Sequence, residues 1–159
     1  MPMKLQGSCR CGAVAFNVQS HTPYPFMYCY CSICRKIGGG GGFAINIMGT
    51  TDTLEVSGDA CITKFSVEID GEPSPMHRTF CKTCGTALWG WHPDYPELVH
   101  PFASAIDTDL PVAPTRVHIM LDFKASWVTP DIRDGDLTFA QYPDQSIEDW
   151  HRSHNLWID

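Results

Sequence analysis

Seven of the eight cysteines fall in three tight groups: Cys9-x-Cys11, Cys29-x-Cys31-x-x-Cys34 and Cys81-x-x-Cys84. Thiols two or three residues apart have the spacing of metal knuckles, whereas disulfide frameworks spread their cysteines. The two outer pairs, Cys9 with Cys11 and Cys81 with Cys84, together supply four thiolates, the full set for a closed structural zinc site. Cys29, Cys31 and Cys34 remain as three ligands for a second metal. Catalytic zinc commonly has three protein ligands and an open fourth position. The alternative is a second closed site, completed by Cys61 or by one of the seven histidines. Cys61 stands alone and reads as a small buried apolar residue. An iron–sulfur cluster would use the same kind of cysteine set and is the weaker alternative.

A metal held by three thiolates already receives much electron density, so it should be a modest Lewis acid toward water. It can take a fourth thiolate from a substrate and hold it deprotonated at neutral pH. Beside an aldehyde, that thiolate suggests carbon–sulfur bond making or breaking. Five of the 11 Lys and Arg lie within three residues of a clustered cysteine: Arg10, Arg35, Lys36, Arg78 and Lys82. They stabilise thiolates on the plainer reading. On the sharper one, Arg35, Lys36 and Arg78 also hold an anionic substrate. The run from Gly38 to Gly42 lets backbone come close to whatever sits at the trio, since glycine has no Cβ. It lacks the Lys-Ser/Thr that a phosphate loop needs. His77, His92, His100 and His118 are candidate proton acceptors by residue type alone. Trp89, Trp91 and Tyr95 could wall a pocket, although core packing is the commoner use of such residues.

The elements that must position these groups read as short strands. At 159 residues a single domain is the default, large enough to bury a core without disulfides. Val14, Phe16 and Val18 alternate with smaller or polar residues, as do Phe43, Ile45 and Ile47, and then Phe65, Val67 and Ile69. Residues 54–56, 87–91, 98–105 and 117–123 are further strand candidates, with Leu137 and Phe139 after the turn at Asp134-Gly135. Asp70-Gly71 suits a tight hairpin turn, while Pro73 and Pro75 argue for a looser return. Ser32 could cap one helical turn running to Ile37 and stopped by the glycines. Ser146 could cap a short amphipathic helix through Trp150 and His154 at the domain edge. Many short strands and few helices imply a mainly β domain. The division expected is a metal-binding domain over 1–145 and a helical tail over 146–159.

A net charge of −7 argues against nucleic acid, whose binders need a basic field to displace counterions. No stretch approaches the roughly 18 to 20 apolar residues of a membrane span, and no secretory leader is visible. A cytoplasmic protein is expected, where a reducing environment favours metal-bound over disulfide-bonded cysteines.

Three stretches resemble the glutathione-dependent formaldehyde-activating enzyme family, which includes the centromere protein V type domain. They are Gly7-Ser-Cys-Arg-Cys-Gly-Ala-Val-Ala-Phe16, Cys29-Tyr-Cys-Ser-Ile-Cys-Arg-Lys36 and Arg78-Thr-Phe-Cys-Lys-Thr-Cys-Gly-Thr86. Ile106-Asp107, Pro114, His118 and Trp127 follow in the order such proteins show, so the likeness spans about residues 5 to 143. The resemblance implies a zinc-containing β-tent with two zinc ions. One would be structural, on Cys9, Cys11, Cys81 and Cys84; the other catalytic, on Cys29, Cys31 and Cys34. It implies carbon–sulfur lyase chemistry: reversible addition of glutathione to formaldehyde, giving S-hydroxymethylglutathione. Glutathione would suit Arg35 and Lys36 and the backbone amides of Gly38, Gly39 and Gly40. The competing reading is a non-catalytic, zinc-stabilised protein-binding module.

Overall fold

A computed structural model describes residues 1–38 and 40–159. In chain order the strands are β1 (Met3–Ser8), β2 (Ala15–Ser20), β3 (Met27–Cys29), β4 (Ala44–Ile45), β5 (Gly49–Thr50), β6 (Glu55–Ser57) and β7 (Ile62–Phe65). They continue with β8 (Glu68–Ile69), β9 (Glu72–Pro73), β10 (His77–Cys81), β11 (Ala87–Trp91), β12 (Leu98–Pro101), β13 (Val117–Ile119) and β14 (Leu137–Thr138). Among the described residues two α-helices, α1 (Ser32–Gly38) and α2 (Ile147–Ser153), complete a mainly β chain.

The strands form three main sheets. One has the order β1-β2-β6, a second β5-β12-β11-β10-β7 and a third β14-β13-β3-β4. Pairing is antiparallel except where β13 meets β3 and β14 in parallel. A separate hairpin joins β8 to β9. Its turn is Asp70-Gly71, with φ of +53° and +83°, the left-handed pair that a tight hairpin demands.

Apolar side chains divide into two cores. Leu5, Phe16, Val18, Ile47, Leu88, Trp89 and Val99 pack between the first two sheets, with Cys9 and Cys81 among them. Phe26, Ala44, Phe102, Val117, Ile119 and Trp150 form the second core, with Cys29 and Cys34 among them. Each cysteine cluster is thus rooted in its own core. Fixed neighbours on several sides hold the thiols in place.

Several elements differ from expectation. The run at 65–69 is not one half-buried strand. It breaks between β7 and β8, and Phe65 and Ile69 are exposed. The strand expected over 117–123 ends at Ile119, because Met120 adopts φ +60° and a 3-10 turn follows. The stretch 98–105 likewise ends as a 3-10 turn after Pro101. β1 has no counterpart in the sequence reading. Its Met3, Leu5 and Gly7 face one side, but the glycine blanks the pattern. A Cβ on Gly7 would lie 2.4 Å from the Phe16 ring, so the close pairing of β1 with β2 excludes a larger residue there. Among the described residues no helix is long and apolar enough to cross a membrane.

Candidate metal centres and active site

Two loops of the same design carry the outer cysteines. After Cys9 the chain reverses at Gly12 (φ +81°), and the Val14 N–H donates to the Cys9 sulfur at 3.2 Å. After Cys81 it reverses at Gly85 (φ +78°), and the Gly85 N–H donates to the Cys81 carbonyl at 2.8 Å. Only glycine takes these left-handed conformations without strain. The Arg10 N–H donates to the Thr86 hydroxyl oxygen at 3.1 Å and so ties one loop to the other.

The result is a four-sulfur cluster. The ligand atoms of Cys9, Cys11, Cys81 and Cys84 all lie within 4.8 Å of one another. Two sulfur–sulfur distances are 3.6 Å and 3.7 Å. These are far beyond a disulfide bond of about 2.05 Å. They match the separation of about 3.8 Å expected between tetrahedral thiolates at a metal–sulfur length of about 2.3 Å. Titration points the same way. The Thr86 hydroxyl and N–H pull Cys84 down to about 5. The Ala13 N–H favours a thiolate at Cys11, yet the crowding by Cys9 and the other sulfurs outweighs it and carries Cys11 up to about 12. Four such groups cannot all ionise without a cation between them, and the donor set fits one.

The trio sits where β3 becomes α1. Cys29 ends the strand, Tyr30 donates its N–H to the Ile119 carbonyl at 3.1 Å, and Ser32 begins the helix. One tight bend therefore points three thiols at a common centre. Their sulfurs lie within 4.8 Å of one another, and among the described residues no fourth Cys, His, Asp or Glu joins them. Cys61 belongs to neither cluster. Cys29 and Cys34 are buried, and Cys31 is half-buried. Cys31 accepts the Cys34 N–H at 3.3 Å. The Cys29 and Cys34 thiols both donate toward Cys31 and hold it well below the usual thiol range, while Cys29 is driven far above it by the same neighbours. Three converging sulfurs with an open side suit a dication that keeps a vacant position.

A sequence model described as glutathione-dependent formaldehyde-activating enzyme matches residues 4–122. A Halomonas elongata protein, provisionally named a glutathione-dependent formaldehyde-activating enzyme, is 58% identical over 149 residues, 94% of this chain and 95% of its own length. The chain belongs to the glutathione-dependent formaldehyde-activating enzyme family. A crystal structure of a Rhodobacter sphaeroides protein shares the fold with a TM-score of 0.52 at 24% identity, over 67% of this chain and 91% of that one. All three cysteine groups of this family member fall inside the matched span.

The residues expected to meet glutathione are dispersed around α1. Lys36 is exposed and lines a groove of about 230 Å³ with Ser32, Ile33, Ile37, Phe65 and Val67. Arg35 is half-buried, and its Nε is buried without a hydrogen-bond partner among the described residues. Gly38 packs against β4, since a Cβ there would lie 2.5 Å from the Ala44 Cβ. Gly40 is exposed and faces open space. Gly39 lies outside the described residues.

None of the candidate histidines joins a cysteine cluster. His92 pairs with Asp94 and packs on Tyr95, and His77 lies against Trp91. Burial lowers the pKa of His100. Trp89 is core, edge-on to Phe16 at 5.1 Å.

His118 belongs to a network that sequence reading missed. Its Nδ1 meets the Tyr30 hydroxyl at 2.9 Å and its Nε2 meets Asp136 at 3.1 Å. Asp136 also accepts from the Arg116 guanidinium and from the Arg116 and Arg133 backbone N–H groups. Burial alone would raise the Asp136 carboxyl, but these donors overcome it and hold it far below the usual range. Tyr28 lies on the face of β3 opposite Cys29, and Tyr30 follows the strand with its hydroxyl on His118, so this network braces the sheet from behind the trio. Its members are separated by up to about a hundred residues, and no local spacing announces them.

Proposed function

We propose that this protein is a zinc-dependent carbon–sulfur lyase. It reversibly joins glutathione, or a related thiol, to formaldehyde or another small aldehyde. The observation that carries this reading is the three-sulfur centre without a fourth protein donor among the described residues. A closed structural site would have filled that position, as the outer cluster does.

Cys29, Cys31 and Cys34 would hold the catalytic zinc, and Cys9, Cys11, Cys81 and Cys84 the structural one. A zinc ion bound to the trio supplies a fourth position that keeps a substrate thiol deprotonated at neutral pH. The chain's own residues do the rest. The β3–α1 bend orients the three sulfurs, and the second core keeps water from their buried side. Lys36 in the groove and the half-buried Arg35 next to it in α1 offer positive charge to an anionic peptide thiol. Residues 1–145 form the catalytic unit. The tail 146–159 closes its second core, where Trp150 stacks on Phe26 at 3.8 Å. Cysteines without disulfide bonds among them suit the cytoplasm.

Exchange-spectroscopy NMR on a glutathione–formaldehyde mixture tests the proposal, because that reaction proceeds slowly by itself and acceleration is the signal. The zinc-loaded protein should accelerate exchange, and Cys31→Ser should lose at least about 100-fold of it, the scale of removing a group that acts on charge in the transition state. Its circular dichroism should stay native. No acceleration by protein carrying two zinc ions would sink the assignment and leave a zinc-stabilised binding module.

A further inference from the structure

Arg78 is the buried cation that the account so far leaves without a task. It lies on β10, directly opposite Phe65 of β7 and Gly90 of β11. Residues opposite each other in an antiparallel ladder project to the same face. Phe65 lines the groove against Ile33, Lys36 and Ile37, and Phe80, two residues along the same face of β10, packs against the core that holds Cys29 and Cys34, so that face is turned toward α1 and the trio. The Met76 side chain lies over Gly90, since a Cβ there would come 2.5 Å from its terminal methyl, and that methyl offers the guanidinium no acceptor.

The residue is only 8% exposed. Its Nη1 is fully buried and has no hydrogen-bond partner among the described residues. It pairs with no carboxylate there either. Buried charges are ordinarily paired, because leaving one bare in a medium of low polarity is costly. Charge compensation for the thiolates would account for its position but not for the unused N–H, since no sulfur accepts from it. An unused donor beside the metal-binding trio points to an oxygen that arrives with a substrate.

We propose that Arg78 holds the carbonyl oxygen of the aldehyde and stabilises the oxyanion that forms as the thiolate adds. The inference rests on the reaction assigned above. In the forward direction the sulfur lone pair forms the carbon–sulfur bond. The carbonyl π pair moves onto oxygen, which accepts a hydrogen bond from Arg78 Nη1–H. Water protonates that oxygen, and the proton lost by the thiol returns to solvent, so one thiol and one aldehyde give one hemithioacetal. A guanidinium does not act as an acid near neutrality, so the proton on the new hydroxyl comes from water. Its contribution is a preorganised donor aimed where charge develops.

Formate, a one-carbon anion, reports on this position independently of turnover. Zinc-loaded wild-type protein, Arg78→Gln and Arg78→Lys are compared by calorimetric formate binding, zinc content, and glutathione–formaldehyde exchange. The expected result has three parts. In Arg78→Gln formate binding weakens at least tenfold and exchange falls by about 100-fold. Zinc content stays at two and the KM for glutathione stays within about twofold of wild type. In Arg78→Lys, which keeps the charge and guards against a misfolded Gln variant, both losses are smaller.

Three results overturn the proposal: no formate binding by wild type, unchanged exchange in Arg78→Gln, or exchange that falls only in step with zinc content. A tenfold rise in the glutathione KM at constant kcat overturns it too, by assigning Arg78 to the thiol's carboxylates. A wild type that binds formate through Arg78 but does not accelerate exchange overturns the assigned reaction and leaves the oxygen-binding role standing.

Discussion

His151 shows how strongly one buried side chain can make this fold depend on pH. The ring is fully buried. It lies edge-on to Phe26, and its Nδ1 bonds to the Ile147 carbonyl at 2.8 Å. Its Nε2 accepts the Tyr24 N–H, so the folded state binds the neutral ring. Burial lowers its pKa to about 4, against about 6.5 for a free imidazole. The unfolded chain therefore takes up the proton first. The His151 contribution is complete above about pH 6.5, shrinks as pH falls, and is gone by about pH 4. The difference amounts to about 3 kcal/mol at about 1.4 kcal/mol per unit. Urea titrations of wild type and His151→Gln should diverge in stability above pH 6.5 and converge toward pH 4. Comparing the two cancels thiol protonation, which weakens metal binding in both. A constant gap across that range would place the low pKa elsewhere.

At the scale of the element, the glycine run after α1 illustrates one composition serving different ends. Gly42 has φ +85°, and a Cβ there would lie 2.3 Å from Val128. Gly42→Ala thus meets both backbone strain and a clash, and should cost at least about 1 to 2 kcal/mol in urea denaturation. Gly40 has open space on all sides, so Gly40→Ala should change stability by less than about 0.5 kcal/mol. A rise in the glutathione KM of that variant would mark it as a substrate contact. The C-terminal helix is a second case. Its cap is local, with the Ser146 hydroxyl accepting the Asp149 N–H at 3.0 Å. Its tie to the molecule is not local: Trp150 is 1% exposed and stacked on Phe26. An edge-packed helix was expected, whereas this one plugs the core that contains the trio.

Considered whole, the molecule relies on the outer cysteine cluster as a clasp. Cys11 and Cys81 are 70 positions apart in sequence, yet their sulfurs lie 3.7 Å apart. The clasp joins the end of β1 to the end of β10, and thereby two sheets around the first core. Structural zinc contributes on the order of 10 kcal/mol to folds that depend on it. Cys84→Ser, or prolonged chelation, should therefore abolish cooperative thermal unfolding followed by circular dichroism. Cys31→Ser should leave it in place, because its centre lies in the other core. Equal loss in both variants would show that the trio too is structural.

The knuckles, their division into four and three, the α1 turn, the Ser146 cap and the Asp70-Gly71 hairpin were legible in the sequence. Apart from that division, which followed from ligand count across cysteines 70 positions apart, each depends on residues within a few positions of one another, where spacing alone constrains backbone geometry. The mainly β class followed from many short apolar alternations. Several features were out of reach. One is the convergence of Tyr30, His118, Arg116 and Asp136 behind the trio. Another is the burial of Arg78 with an unused N–H, and a third is the exposure of Phe65 and Ile69 despite their alternation. These depend on which strands become neighbours. That choice is made by the burial of two whole cores and by the four-sulfur clasp, sums over distant residues that no local pattern records.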